Sequence, residues 1–490
     1  MGAQPDEAGP VAPRAPDRER RRGSLLGDAL LTIGARIALA GLILGTDVVL
    51  ARLLGPDAKG RFALVILLSQ LAAVVVGWGM DSAIGVVTGR GGEDARRGFA
   101  TALLWTVVAG GLAAVAVAWL YGLPADGRPR GPLAVVVPNL SADQFTFAAL
   151  AIPGELFFAL GLSALLGRRR VAAYNTIRVL RRATLLALVV AAAAIARLSL
   201  GVALVCNLAA LAITIVAIVR ASRSAGIASS RPSLPILGEE LRFGTRAVAG
   251  VLAERLQFRA DAFLLNLLTG VRATGVYSVT AGLAETLWYV PNALGTVMFS
   301  RAVDPRADAA GVAVVLTRTT VAITVAFAVP AFLLGPWLVE LVYGAAFAQA
   351  GVALRWILPG VVAYSVVAVL SRYVTGRGRP GAATLVLVAG LVANVTANLM
   401  LIPAMGIAGA ALASSLSYGL TAALMLAVFL HLSGRTVTET LLVRRTDLAG
   451  ASRSVRAWAG RRLPGVPPEP EPTAFEEALA IAEHDPRDEP

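Results

Sequence analysis

Apolar residues come along this chain in long blocks separated by short polar turns, and within the blocks they do not alternate with polar residues. A helix needs about 20 such residues to cross a bilayer. Six blocks are read in the first half, at 28–52, 62–86, 99–121, 144–166, 177–197 and 199–220. Six more follow at 243–268, 273–298, 311–335, 352–373, 381–403 and 407–431. Most are rich in Ala, Leu, Val and Gly, and small residues suit close helix packing in lipid. A spanning barrel would need short alternating segments instead. The pattern predicts an all-α polytopic membrane protein with about 12 transmembrane helices. The fifth and seventh blocks carry the most charge and are the weakest spans.

Composition agrees. Of 490 residues, 57% are hydrophobic and 15% charged, against roughly 45–50% and about 25% in soluble domains. That excludes a soluble cytosolic or secreted protein, and it excludes disorder over most of the chain. The net charge of +13 comes almost wholly from arginine, since Lys59 is the only lysine. The arginines lie between apolar blocks rather than in one basic domain, which argues for a membrane and against nucleic acid. With the N-terminus inside, inner turns collect Arg90, Arg96, Arg97, Arg168, Arg169, Arg170, Arg220 and Arg223. Outer turns hold fewer, among them Arg52, Lys59, Arg61 and Arg272. The expected topology is a multi-pass protein of the cell membrane with both termini cytoplasmic. Cys206 is the sole cysteine, and with two histidines it cannot build a Cys/His metal cage.

The blocks suggest a domain plan. Residues 1–24 read as a disordered basic arm, 25–220 as a six-helix lobe, 221–240 as a cytoplasmic linker and 241–432 as a second six-helix lobe. Residues 433–463 alternate basic and apolar groups, as an amphipathic segment on the inner surface or a solvated linker would. Residues 464–490 read as a disordered acidic tail.

The two lobes are related. Asp47, Leu50, Leu53, Leu54, Gly55, Ala58, Gly60 and Phe62 match Asp261, Leu264, Leu267, Leu268, Gly270, Ala273, Gly275 and Tyr277. The offset changes by one residue after the Leu pair, as a single insertion would produce. Six spans separate the copies, so both run in the same direction. A parallel six-span repeat points to two lobes around a central cavity, with the site between them.

Signals for an enzyme are missing: no phosphate-binding loop surrounds Lys59, and the outer loops are short. Ionisable residues inside spans are the positive signal, because each is expensive in hydrocarbon unless it faces protein or water. At about 100° per residue, Glu254 and Asp261 fall on one stripe of span seven, and Arg255 and Arg259 on another. Such a helix lines a hydrated cavity, with the arginines open to an anionic substrate, or it enters an ion-pair network between helices. Arg36 and Asp47 share a face of span one. Glu155 and Glu285 are further carboxylates able to carry a coupling proton or to make a packing hydrogen bond. Arg178, Arg181 and Arg182 near the inner end of span five fit the positive-inside bias or a grip on headgroups.

The stretch Leu53-Leu54-Gly55-Pro56-Asp57-Ala58-Lys59-Gly60-Arg61-Phe62 resembles the "LGP-x-x-x-G-x-[FY]" turn of polysaccharide-biosynthesis flippases. These form the Wzx-type branch of the multidrug/oligosaccharidyl-lipid/polysaccharide exporter superfamily. Arg259-Ala260-Asp261 through Tyr277, Ala284-Glu285-Thr286-Leu287 and Val290-Pro291-Asn292-Ala293-Leu294-Gly295 through Arg301 are similar to that family's second lobe, with Ser300 where the family often has proline. The resemblance spans roughly 25–435. It implies a flippase, not an enzyme, that moves a polyprenyl-pyrophosphate-linked oligosaccharide to the outer leaflet by alternating access, without cofactor or metal. Its partners would be that substrate, membrane lipids, a polysaccharide polymerase and glycosyltransferases. On that basis Arg36, Arg255 and Arg259 are assigned to the substrate's anionic group. Asp47, Glu254, Asp261 and Glu285 are assigned to proton or sodium coupling. A cation-coupled drug antiporter of the same superfamily is the alternative, favouring a more acidic and aromatic cavity.

Overall fold

The computed structural model describes residues 15–121, 131–228, 230–303 and 308–442, with side chains from residue 38 onward, Arg246 and Ala247 excepted. The described residues form helices and turns and no strand. In chain order the first lobe holds α1 (Ala15–Gly77), α2 (Met80–Gly89), α3 (Gly92–Tyr121), α4 (Pro132–Val136), α5 (Ala142–Gly167), α6 (Val171–Ile195) and α7 (Leu200–Ser224). The second holds α8 (Leu234–Gln257), α9 (Ala260–Thr269), α10 (Val271–Thr286), α11 (Tyr289–Val303) and α12 (Ala309–Tyr343). It ends with α13 (Ala348–Gly376), α14 (Pro380–Met405), α15 (Ile407–Ser433) and the short α16 (Val437–Leu441).

All twelve expected spans are occupied by helix, but three are broken. Span two crosses from α1 into α2 through Trp78 and Gly79, both at positive φ. Span seven is α8 plus α9, and span eight is α10 plus α11. Among the described residues eight helices are long and apolar enough to cross a membrane by themselves, and one of these, Ala38–Gly77, contains parts of two spans bent at Gly55. The remainder are the broken spans seven and eight and the arginine-bearing α6. The disordered arm expected to residue 24 is already helical from Ala15, in keeping with the Arg, Glu and Leu content of that stretch. The linker expected at 221–240 is shorter, because α7 runs to Ser224 and α8 starts at Leu234. Residues 1–14 and 443–490, with most of the expected amphipathic segment and all of the acidic tail, lie outside the described residues.

The repeat is visible in the backbone. Gly55 (φ 72°, ψ 175°) and Gly270 (φ 94°, ψ 175°) turn the chain the same way, in a region that side chains rarely adopt. Five residues beyond each turn the copies come together. A Cβ on Gly60 would fall 2.1 Å from the carbonyl of Val271, and a Cβ on Gly275 would fall 1.9 Å from the carbonyl of Pro56. Each glycine therefore seats the backbone of the other lobe, and Arg272 pairs with Asp57 at 3.0 Å beside them. A second correspondence sits deeper. Pro153-Gly154 in α5 and Pro359-Gly360 in α13 occupy the same place in their helices, and the glycines receive α7 and α15 respectively.

Each lobe has its own apolar core, around Leu64, Phe145 and Val189 or Ile84, Leu156 and Leu165 in the first, and Leu265, Val361 and Met425 in the second. The lobes meet at two ends. At the Gly55 end α1 packs on α10, and Asn139 and Pro138 of the α4–α5 turn bond Asn266 of α9. At the Trp78 end the first half of α8 leaves its own lobe, and Leu237 and Leu241 join the first lobe's core. There Gly244 packs against the backbone of Trp78 and Gly79, and Trp78 donates to Thr245 at 2.9 Å.

Candidate functional site

The break in span seven reshapes the expected stripes. The helix stops at Gln257, and Phe258 and Arg259 form a non-helical step before α9 (Arg259 φ −130°, ψ −17°). The step rotates everything after it, so Glu254 and Asp261 do not share a face, nor do Arg255 and Arg259. Four rings fill the wedge. Phe258 lies 4.8 Å from Trp288 at the break of span eight, and Tyr364 and Tyr418 close the cluster with all centroids within 5.8 Å. Trp288 also donates to the carbonyl of Val361. Two broken helices are thus locked at one level by aromatic packing, and this fixes where the charged residues on either side point.

Arg259 points to Glu285. The pair is bidentate, with the second bond at 3.1 Å, and both side chains are about a third exposed (30% and 35%). From across the lobe boundary Arg182 lies within electrostatic reach of Glu285 and Tyr289, and Arg178 of Tyr289. Arg259 and Arg182, one from each lobe, therefore share one carboxylate, with Arg178 beside the neighbouring Tyr289, leaving net positive charge at the lobe boundary. Arg181, one residue away, turns the other way. It makes a bidentate pair with Glu155 and stacks over Phe158 at 4.4 Å, with both charged groups buried.

Asp261 is buried in the second lobe. It accepts from Ser414 at 3.1 Å, from the Ala262 amide at 2.8 Å and from the Tyr277 hydroxyl. Asn394, Ser417 and Asn398 extend this network, and the Oδ1 of Asn398 is buried without a hydrogen-bond partner. Asp47, the first-lobe counterpart, is instead paired with Lys59 at 2.7 Å. Lys59 also donates to Ser278 of α10 at 3.0 Å, so this cation ties the lobes together near the Gly55 end.

A family model described as "Polysaccharide biosynthesis protein" matches residues 49–351. The chain belongs to that family. No curated protein matches the sequence. Among solved structures the chain is similar to the lipid II flippase MurJ in an inward closed conformation, at TM-score 0.68 and 13% identity over 94% of this chain and 96% of that one. It is also similar to an inward-facing multidrug resistance MATE transporter of the MOP superfamily, at TM-score 0.62 and 16% identity over 83% and 98%. The eukaryotic MATE transporter AtDTX14 gives 0.58 and 14% over 87% and 100%. At these identities the likeness is one of fold. This polysaccharide-biosynthesis family member is therefore a multi-pass membrane protein with the fold of a membrane transporter. The family match covers the repeat from Leu50 onward, all three broken spans and the Arg259–Glu285 pair, but not Asp47, Asn394 or Ser414.

Of the seven residues singled out from sequence, the structure joins two directly, Arg259 and Glu285. Asp261 and Asp47 lie in separate networks. Arg255 is exposed, and Glu254 is half-buried facing Tyr364. The side chain of Arg36 lies outside the described residues. Among the described residues no cluster of three or more metal-ligating side chains occurs. Four residues have partners that the sequence did not indicate. Lys59, grouped with the outer turns, is 3% exposed inside α1. Arg182, grouped with the inner-surface bias, faces the second lobe. Arg181 and Glu155, read separately, neutralise each other. The spacing of Arg178 and Arg182, about 40° apart on a helix, was the available signal that two of the three share a face.

Proposed function

We propose that this protein flips a polyprenyl-pyrophosphate-linked oligosaccharide from the cytoplasmic to the outer leaflet of the cell membrane by alternating access. The observation that carries the reading is the half-open Arg259–Glu285 pair at the lobe boundary, with Arg182 of the other lobe within reach of the same carboxylate and Arg178 beside the neighbouring Tyr289. Guanidinium forks match phosphate oxygens two at a time, and a pyrophosphate offers several. Glu285 occupies Arg259. A pyrophosphate group competes with that carboxylate for the guanidinium. The lipid tail stays in the bilayer while the head crosses between lobes that part alternately at the Gly55 and Trp78 ends. Parting at the Gly55 end breaks the bond from Lys59 to Ser278, and the buried network of Asp261 offers a place for coupling to a proton or sodium ion. Both termini are cytoplasmic in this scheme.

The test is a deletion strain in which surface polysaccharide and the leaflet location of the lipid-linked saccharide are followed. Loss of polymer with intermediates held on the cytoplasmic leaflet, restored by the wild type and not by Arg259→Ala, is the expected result. Unchanged polymer together with new sensitivity to cationic drugs overturns the assignment in favour of an antiporter.

A further inference from the structure

A third buried carboxylate lies at the Trp78 end, outside the apolar run of span seven that begins at 243. Glu240 is 0% exposed, and both of its carboxyl oxygens lack a hydrogen-bond partner. It belongs to the face of α8, with Gly244 and Val248, that is buried where the helix crosses onto the first lobe. Its carboxyl lies against Gly98 of α3, itself packed on Val87 of α2. The start of α8 is fastened there by the Ser233 amide, which donates to Thr101 at 3.0 Å. One turn on, Gly244 is pressed onto Trp78.

Among the described residues, none of the charged groups around it neutralises it. On α2 and its end these are Asp81 and Arg90, and Arg90 is engaged by Glu239. On α3 they are Glu93, Asp94, Arg96 and Arg97, of which both arginines pair with Glu93. On α8 itself the neighbours are Glu239 and Arg242. Residues 62–77 of α1 and the whole of α14 contain no charge, and α9 meets α8 at its far end. Burial, with a smaller contribution from the Glu239 charge, pushes the Glu240 carboxyl up to about 8. An ionised carboxylate left unpaired in such a place is expensive, and the group stays neutral instead.

We propose that Glu240 is a proton switch on the lobe seam: the Trp78 end closes over the neutral acid and opens when the carboxylate is ionised and hydrated. The switch is a property of the seam and requires no substrate; only its use in a transport cycle rests on the flippase reading. The sign follows from linkage. Glu240 holds its proton up to about pH 8 when the seam is closed and only to about 4.3 when it is open to water. Closure therefore takes up a proton between those limits, and the closed-to-open ratio falls about tenfold per pH unit as pH rises through them.

The experiment is electron–electron distance measurement on the full chain in lipid nanodiscs. Spin labels go on Arg223→Cys and Arg379→Cys, exposed positions in opposite lobes, in a Cys206→Ser background. The wild-type seam is expected to lengthen progressively from pH 5 to pH 8. Glu240→Gln, which mimics the neutral acid, should stay closed throughout, and Glu240→Leu, which cannot titrate, should be equally flat. A wild-type distribution that ignores pH, or a Glu240→Gln seam that still opens with pH like the wild type, overturns the switch. Either outcome leaves the leaflet assay for the flippase reading untouched.

Discussion

Each lobe holds one bidentate carboxylate–guanidinium pair, and in each the two residues stand 26 apart in sequence. The chemistry is the same and the surroundings are not. Glu155 and Arg181 expose 5% and 10% of their side chains, and Phe158 covers the guanidinium. Glu285 and Arg259 expose about a third of theirs, with Arg182 nearby from the other lobe. A buried pair has nothing to exchange with, so it fixes α5 against α6. A half-open pair can trade its carboxylate for another anion. Burial, rather than residue type, separates a structural pair from one that can bind.

That contrast can be broken in several ways. The largest effect should come from Glu155→Ala, which strands the Arg181 charge in the first lobe. A loss of about 3–5 kcal/mol is expected, read as a lower unfolding temperature in detergent and reduced membrane abundance. Abundance equal to the wild type would mean the pair is dispensable. Gly60→Ala comes next. It places a methyl against the Val271 carbonyl and should destabilise the closed Gly55 end by about 1–3 kcal/mol. Cross-linking between Asp57→Cys and Arg272→Cys reports it, and undiminished cross-linking would show that the lobes do not close on these glycines. Arg259→Ala should lower stability by only about 1 kcal/mol or less, as for exposed pairs, yet abolish polysaccharide export at unchanged abundance. Arg255→Ala should likewise abolish export, and normal export by both would remove the arginines from the transport path. The smallest effect belongs to Asp57→Asn, whose pair with Arg272 is more than half exposed. A change within about 0.5 kcal/mol, vanishing in high salt, is expected.

The fold was legible because bilayer thickness imposes a length on every apolar block, and twelve blocks of that length leave little choice. The repeat was legible because a positive-φ turn needs glycine, so Gly55 and Gly270 mark the same place in both copies. The break at Phe258 was not legible: no proline stands there, and the step is filled by rings drawn from α13 and α15, far away in sequence. At Leu287 the available signal was Pro291, whose missing N–H leaves the Leu287 carbonyl without its helical partner. Since angular arithmetic on span seven assumed an unbroken helix, the break undid its stripes while leaving its residues near the lobe boundary. The partners of Lys59 and Arg181 were hidden for a related reason: a pairing between helices has no period along the chain. Glu240 was hidden by its setting, among polar residues that read as a linker.

The reciprocal seating of Gly60 and Gly275 has a consequence for the history of the chain. A contact in which each partner presents the same patch to the other is the signature of a two-fold dimer. A six-helix ancestor bearing one such glycine could have paired with a copy of itself before the halves were joined. After fusion the two positions mutate independently, yet each still answers to the other. Substitutions at 60 and 275 should therefore be lost or gained in concert across descendants, even as Asp47 and Asp261 drift toward different partners.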